Sequence, residues 1–362
     1  MTVERNSAGF EEISAQEAGF DPVGLKHAVA YAQTHESAMD RDIGKALAEG
    51  HFEEPWPIGQ TIGPVKDRGA PSGLLLKRGK RVASWGDIER VDMTFSISKS
   101  YIALCAGVAV DDGLIPDIDA PVRALIPDTE FESAQNRDIT WRHLFQLTSE
   151  WEGTLWDKPD WIDHNRVVMG RATSDAKKGQ KRILQKSGTY WEYNDVCVNC
   201  AALALMRVFE KPLPEILKAR IMDPISASDT WEWHGYENAW LNLKGRQMQS
   251  VSGGAHWGGG LWISAEDHAR VGRLVSQKGA WKGQRILSEN WVRTMTEPCS
   301  LNTSYGMFWW LNGKDRAVFP SASATSVFGI GVGTILLWSD PEHDLVVVAL
   351  WIEKDAVDGV IA

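Results

Sequence analysis

The stretch "FSISKSYIALCAGVAVDDGLI", residues 95–115, decides how this chain folds. It sets Ser96 three places before Lys99, and "YIALCAGVAV" (101–110) then runs without a charge. Such a run reads as a core helix. It stops at "DDGLIP", where Gly113 can take the left-handed C′ position and Pro116 blocks continuation. A lysine in the first turn needs a reason, because its ammonium would have to leave water. On a helix, residues i and i+3 share a face, so Ser96 and Lys99 can touch. Free backbone N–H groups and the positive end of the helix dipole point out of that turn, and with burial they disfavour a protonated ammonium. A neutral amine beside a serine hydroxyl is a base beside a nucleophile. The alternative, a capping serine with a lysine reaching outward, leaves the uncharged helix behind the motif unexplained.

Outward from this helix, "LLLKRGKRVASWG" (74–86) reads as a hairpin turning at Gly79. Residues 51–73 hold four prolines and four glycines and read as loop. "DPVGLKHAVAYAQTH" (21–35) opens with Asp21 and Pro22 and puts Leu25, Ala28, Val29 and Ala32 on one face of an amphipathic helix. Residues 115–250 read as helical fragments between long loops, among them 149–164 and the basic, solvated 174–188. "TILLW" (334–338) and "LVVVALWIE" (345–353) read as strands joined by a turn, the second apolar enough for a sheet centre. Strands at both ends and helices between predict an α/β chain of the α+β type. Residues 1–110 and 255–362 would form an α/β domain with a mostly antiparallel sheet, and 111–254 an inserted helical domain, with the site between them. The loops at 51–73 and 149–188 are candidate lids or subunit contacts.

Composition narrows the function. A chain of 362 residues, 43% hydrophobic and 24% charged, is ordinarily globular. The balance of 38 basic against 48 acidic residues, net −10, argues against nucleic acid or an anionic membrane as partner. "MTVERNSAGFEE" has no apolar core, and no run reaches the ~18 apolar residues of a membrane span, so a soluble cytoplasmic protein is expected. Four cysteines make no disulfide framework. Cys197 and Cys200 lack a second ligand pair for zinc, and His51, His143, His164, His234, His256 and His343 are scattered without ligand spacing. There is no H-E-x-x-H and no G-x-S-x-G, and "GIGVGT" (329–334) lacks the last glycine of a dinucleotide loop. No metal and no cofactor is expected.

A second proton carrier is needed for the leaving group. "GTYWEYNDVCVN" (188–199) offers Tyr193 just before a helix, and a phenol beside an ammonium can act as a general base. With these residues the chain resembles the serine hydrolases of the β-lactamase/transpeptidase fold: class C β-lactamases, D-alanyl-D-alanine peptidases, family VIII carboxylesterases and nylon-oligomer hydrolases. "FSISKSYIALCAGVAVDDGLI" resembles the family's nucleophile helix, and "ITWRHLFQLTSEWEG" (139–153) its Leu-Leu-x-His-Thr-Ser-Gly segment. "WEYND" stands at its Tyr-x-Asn, "SGGAHWGGGLWISAEDHARVGRLV" resembles its later glycine-rich stretch, and "SDPEHDLVVV" its closing hairpin. The likeness spans roughly 70–355. It implies Ser96 as the acylated nucleophile, Lys99 as its base and Tyr193 as the proton shuttle. It also implies an oxyanion hole from the backbone N–H groups of Ser96 and Val332.

Two departures bear on the substrate. Asp195 stands where the family has Asn, and its carboxylate would repel anionic substrates and favour a charged Lys99. Gly329-Ile330-Gly331 stands where Lys, His or Trp opens the edge-strand triplet, so Gly329 cannot hold a substrate carboxylate. Trp151, Trp156 and Trp161 are candidates for an aromatic wall, and Trp257, in the glycine-rich "GGAHWGGGLW" (253–262), for a pocket lining. The expected partner is a small-molecule ester or amide, and nothing in the sequence fixes an oligomeric state. The reading is a carboxylesterase acting on small neutral esters through acyl-Ser96. An amide or lactam hydrolase stands as the alternative, and a catalytically silent acyl-ligand-binding protein as the rival from another class.

Overall fold

The computed structural model describes residues 9–54, 57–127, 129–170 and 175–362. The start of the chain, read above as lacking an apolar segment, lies largely outside the described residues. Among the described residues, no helix is long and apolar enough to cross a membrane.

The helix Ile97–Asp111 is the centre of the protein, and every residue from Ile97 to Ala109 is buried. A helix apolar on all sides needs cover on all sides. Here Val327–Gly331, an edge strand beyond the two residues that Trp310–Leu311 pairs, the helix Asp195–Phe209 and the helix Glu289–Met295 all pack against it. It ends as the sequence predicts, with Gly113 at φ 72° just past the C-cap Asp112.

The six-stranded sheet is antiparallel throughout and draws on both ends of the chain. Its order is Trp310–Leu311, Val327–Gly331, Ile335–Asp340, Leu345–Leu350, Ser72–Lys77, Lys80–Trp85. The hairpin 72–85 turns at Gly79, φ 75°, as read from the sequence. Leu345–Leu350 is central, paired on both sides and buried along its length, which suits its unbroken apolar run. The central helix and Ala265–Ser276 cover one face of the sheet, the latter meeting Leu337 and Val346 at Gly272. Pro22–Thr34 and Val357–Ile361 lie over Leu336, Trp338 and Val347 on the other. The Pro22–Thr34 helix is capped by Asp21, which accepts from the N–H groups of Val23 and Gly24.

The middle of the chain differs from its reading in one element. Within the stretch expected to be helical, Glu232–Leu243 and Arg246–Val251 form a long hairpin. It belongs to a second sheet, ordered Asp92–Met93, Gly260–Ile263, Glu232–Leu243, Arg246–Val251. The sequence hides it because "EWHGYENAWLNL" alternates weakly: its register shifts between Gly235 and Trp240, which scrambles the period-2 pattern.

This second sheet fixes the start of the central helix. The Thr94 hydroxyl donates to the Leu261 carbonyl at 2.7 Å, and the Leu261 N–H donates to the Ser98 hydroxyl at 2.9 Å. Ser100 donates to the Phe308 carbonyl at 2.8 Å. Two of the three serines in "SISKS" are therefore structural ties. Ser98→Ala leaves the buried Leu261 N–H without its acceptor, which costs about 1–3 kcal/mol. A lower urea midpoint at unchanged slope is expected, and an unchanged midpoint would remove Ser98 from this role.

Candidate active site

Ser96 differs from its neighbours in one respect. From Asp92 to Ala109 every residue is buried except Ser96, which is partly open to solvent. It sits at the N-cap of the central helix with no capping hydrogen bond from its side chain. Phe95 before it has φ 47°, an unfavourable left-handed backbone for a bulky residue. Packing holds Phe95 there: it is fully buried, with Phe52 and Trp351 edge-on at 6.5 Å.

Lys99 turns inward, as the i, i+3 spacing requires. Its Nζ donates to the Ser96 Oγ at 3.0 Å, and the side chain is 1% exposed. A buried ammonium needs a carboxylate, and Asp195 supplies it: Lys99 Nζ and Asp195 Oδ1 form a direct ion pair. Asp195 is the first residue of the helix Asp195–Phe209, which is capped by the Asn194 side chain on the N–H groups of Val196 and Cys197. This helix packs on the central one, so the lysine lies near two helix N-termini. Both favour the Asp195 carboxylate.

Asp195 does not face the site as a bare charge. Arg166 reaches its Oδ2 at 2.9 Å and His256 Nδ1 reaches the same oxygen at 2.8 Å. Burial pushes the Asp195 carboxyl up, but Lys99, Arg166 and His256 override this and hold it well below the usual carboxylate range. The repulsion of anionic substrates expected of Asp195 is thus offset by Lys99 and Arg166, which share its oxygens with His256.

The network continues. His256 Nε2 lies 2.5 Å from Glu54 Oε1, Lys178 lies 2.6 Å from the same oxygen, and Trp257 Nε1 donates to Glu54 Oε2 at 2.6 Å. Asp163 accepts from the Asp195 backbone N–H at 2.8 Å and faces Arg166 and Lys178 at 3.5 Å. Burial raises the Glu54 carboxyl, yet His256 and Lys178 win and set it at about 2. Glu54, Asp163 and His256 present atoms within 4.8 Å of one another, a spacing that could hold a metal ion. In this structure Lys178 and Arg166 already bring positive charge to these carboxylates.

Tyr193 is buried and comes to Lys99 face-on, with Nζ 4.6 Å from the ring centroid. Arg166 lies over the same ring at 5.3 Å, and Trp310, stacked at 5.9 Å, and Tyr305, edge-on at 6.0 Å, pack beside it. The two glycines of the edge strand have a close-packing role: a Cβ on Gly331 would lie 2.2 Å from the Thr94 carbonyl oxygen, and one on Gly329 3.2 Å from Ile97. The strand therefore lies flush against the start of the central helix. Val332 is the first residue of the turn that follows.

The tryptophans lie elsewhere than along an open wall. Trp151 is 2% exposed and donates to the Glu130 carbonyl at 3.1 Å, and Trp257 is 1% exposed and stacks on His256 at 4.3 Å. Trp156 and Trp161 are half-buried, Trp161 beneath Lys181 at 5.0 Å. The sequence reading brought Ser96, Lys99, Tyr193 and Asp195 together, and the structure does the same. It missed Glu54, Asp163, Arg166 and Lys178, and placed His256 among scattered histidines. Apart from Asp163 and Arg166, three places apart, these residues lie far from one another along the chain.

The β-lactamase family model matches residues 77–356. The chain belongs to that family. Its members are serine hydrolases, and this chain is one of them. Over 287 residues it is 23% identical to a 6-aminohexanoate-dimer hydrolase of Paenarthrobacter ureafaciens, covering 73% of this chain and 67% of that protein. Among solved structures, a family VIII carboxylesterase superposes with a TM-score of 0.57 at 15% identity, covering 91% of each chain. A D-stereospecific amidohydrolase from Streptomyces sp. gives 0.54 at 15% identity, covering 90% of this chain and 94% of that one. These structural likenesses carry the fold: an antiparallel sheet flanked by helices, as read from the sequence.

The glycine-rich stretch after residue 252 serves the ion pair. A Cβ on Gly254 would lie 2.6 Å from Asp195 Oδ1 and 2.7 Å from Lys99 Nζ, so the bare backbone packs directly on both. Gly254→Ala must displace one of them, and a shift of about 1 Å can cost about 100-fold in rate. A fall of ~10–100-fold in kcat/KM on an ester is expected. Wild-type kinetics would show that the pair's position is not critical.

Proposed function

We propose that this protein hydrolyses small neutral carboxylic esters through an acyl-Ser96 intermediate. The observation that carries the reading is the Ser96 hydroxyl 3.0 Å from the buried amine of Lys99, on the one partly exposed residue of an otherwise buried stretch. Lys99, in its neutral amine form, takes the Oγ proton as Oγ attacks the ester carbonyl carbon. The carbonyl oxygen becomes an oxyanion held by backbone N–H groups, each worth about 3–4 kcal/mol in such sites. One donor is Ser96 itself. The other lies on the edge strand. The Asn312 N–H donates to the Ser326 carbonyl, so Ser326, and by alternation Phe328 and Ile330, point toward the side that Trp310–Leu311 covers only as far as Phe328. Val332, the donor the resemblance implies, is the first residue of the turn after that strand, and the Ile330 N–H just before it is a neighbouring donor by alternation. Tyr193 then gives a proton to the leaving alkoxide and later draws one from the attacking water.

Ester over amide rests on Gly329, which offers no side chain to hold a substrate carboxylate, and on the charge-matched surroundings of Asp195. Amide hydrolysis is the second reading, and the relative named 6-aminohexanoate-dimer hydrolase favours it.

Stopped-flow hydrolysis of p-nitrophenyl acetate tests the proposal, with nitrocefin and an acyl anilide in parallel. A burst of nitrophenol near one equivalent, absent from Ser96→Ala, is expected, with the ester turned over fastest. A faster anilide would move the reading to amides. Saturable binding with no turnover of any of the three would leave a silent acyl-binding protein.

A further inference from the structure

A proton carrier is useful only while its acidic atom stays where the leaving group departs, and a misplacement of about 1 Å can cost about 100-fold in rate. Tyr193 has no polar anchor to keep it there. Among the described residues no hydrogen bond reaches its hydroxyl, so the phenol is placed by contacts to its ring. Two of these are cations, Lys99 at 4.6 Å and Arg166 at 5.3 Å from the centroid. The others are aromatic. Trp310 lies nearly parallel, 18° off at 5.9 Å, Tyr305 stands edge-on at 6.0 Å, and Trp191 is tilted at 6.3 Å.

Of these three rings, Trp310 is the one carried by a strand of the sheet. It pairs with Phe328 on Val327–Gly331, the strand that runs on to Val332 and the implied oxyanion donor. On its other side the chain folds back. Tyr305 forms an antiparallel bridge with Trp310, and the Leu311 N–H donates to the Ser304 carbonyl at 2.9 Å. The Tyr305 ring then meets the Trp310 ring edge-on at 5.0 Å. Both side chains are buried, and a close-packed interior leaves such rings little room to turn. An indole fixed from both sides thus backs a phenol that lies in irregular chain two residues before a helix.

We propose that Trp310, braced by Tyr305, is a positioning residue that sets the Tyr193 phenol against the leaving-group oxygen. The stack keeps the Tyr193 ring from tilting away from Lys99, and the strand pair ties its position to that of the oxyanion donor. As the ester C–O bond of the tetrahedral intermediate breaks, the Tyr193 O–H gives its proton to the departing alkoxide oxygen. The phenolate left behind regains a proton from the attacking water in the next step. The inference rests on this proposed role of Tyr193, and Trp310 acts through it.

The leaving group separates this role from ordinary packing. p-Nitrophenolate departs without a proton, whereas the alkoxide of benzyl acetate needs one. The test measures kcat/KM, which reports acylation, on p-nitrophenyl acetate and benzyl acetate in wild type, Trp310→Leu, Trp310→Phe and Tyr193→Phe. In Trp310→Leu the benzyl acetate value is expected to fall about 10–100-fold, part of the contribution of one general acid, and the p-nitrophenyl acetate value far less. Phenylalanine keeps a ring to stack on, so Trp310→Phe should recover most of the loss. Tyr305→Leu should show the same selectivity more weakly, and it carries the test if Trp310→Leu does not fold. Equal losses on the two esters in Trp310→Leu, or none, beside a selective loss in Tyr193→Phe, would overturn the positioning role and leave the Tyr193 reading standing. Equal losses or none in Tyr193→Phe, or a wild type that hydrolyses p-nitrophenyl acetate alone, would instead sink that reading and the inference with it.

Discussion

The ion pair between Lys99 and Asp195 is the interaction on which the site depends. A core helix cannot begin with an uncompensated ammonium, and here the compensation comes from the first residue of a second helix packed against the first. That single contact joins the N-termini of the two helices. It also holds the lysine amine at the hydroxyl of Ser96, the one partly exposed residue of that stretch. Packing and chemistry share one solution: the residue that must be neutralised for the fold is also the residue that must sit beside the nucleophile.

Burying such a pair is rarely stabilising in itself, because desolvating two ions offsets most of their attraction. It becomes tolerable when the remaining lone pairs and protons find partners, and the outer residues supply several of these. Arg166 and His256 take the second oxygen of Asp195, Glu54 and Asp163 answer the added cations, and Gly254 removes a side chain that would push the pair apart. In a low-dielectric interior the arrangement is stiff, because moving any member leaves another unpaired. The glycines of the edge strand serve the same end, bringing a backbone flush to the helix start where an oxyanion would form.

How much of this is legible in the sequence depends on how local the signal is. The central helix, the 72–85 hairpin and the closing strands are written in short stretches whose apolar run or turn residue leaves one reading. Ser96 and Lys99 are three residues apart on one helix, so their contact follows from helical geometry. Tyr193 and Asp195 come from the resemblance, since nothing in "WEYND" alone says which side chain turns inward. The hairpin 232–251 is hidden by a register shift. The outer network is hidden for a deeper reason: Glu54, Asp163, Arg166, Lys178 and His256 are individually ordinary polar residues outside the main helices and strands, and only the fold brings them together. The tryptophans mislead in the opposite direction, because abundance in loops suggests a pocket wall, whereas Trp151 and Trp257 spend their N–H groups on Glu130 and Glu54 inside the protein.

The central claim is that the buried Lys99 amine activates Ser96. A fluorophosphonate reacts with an activated serine by forming an Oγ–P bond and releasing fluoride, and peptide mapping then locates the label. The account predicts a single label on Ser96 in wild type. It predicts none over the same time in Lys99→Met, compared at a temperature where circular dichroism shows that variant folded. Labelling of Ser96 at the wild-type rate in Lys99→Met, or labelling of another serine instead, would contradict it.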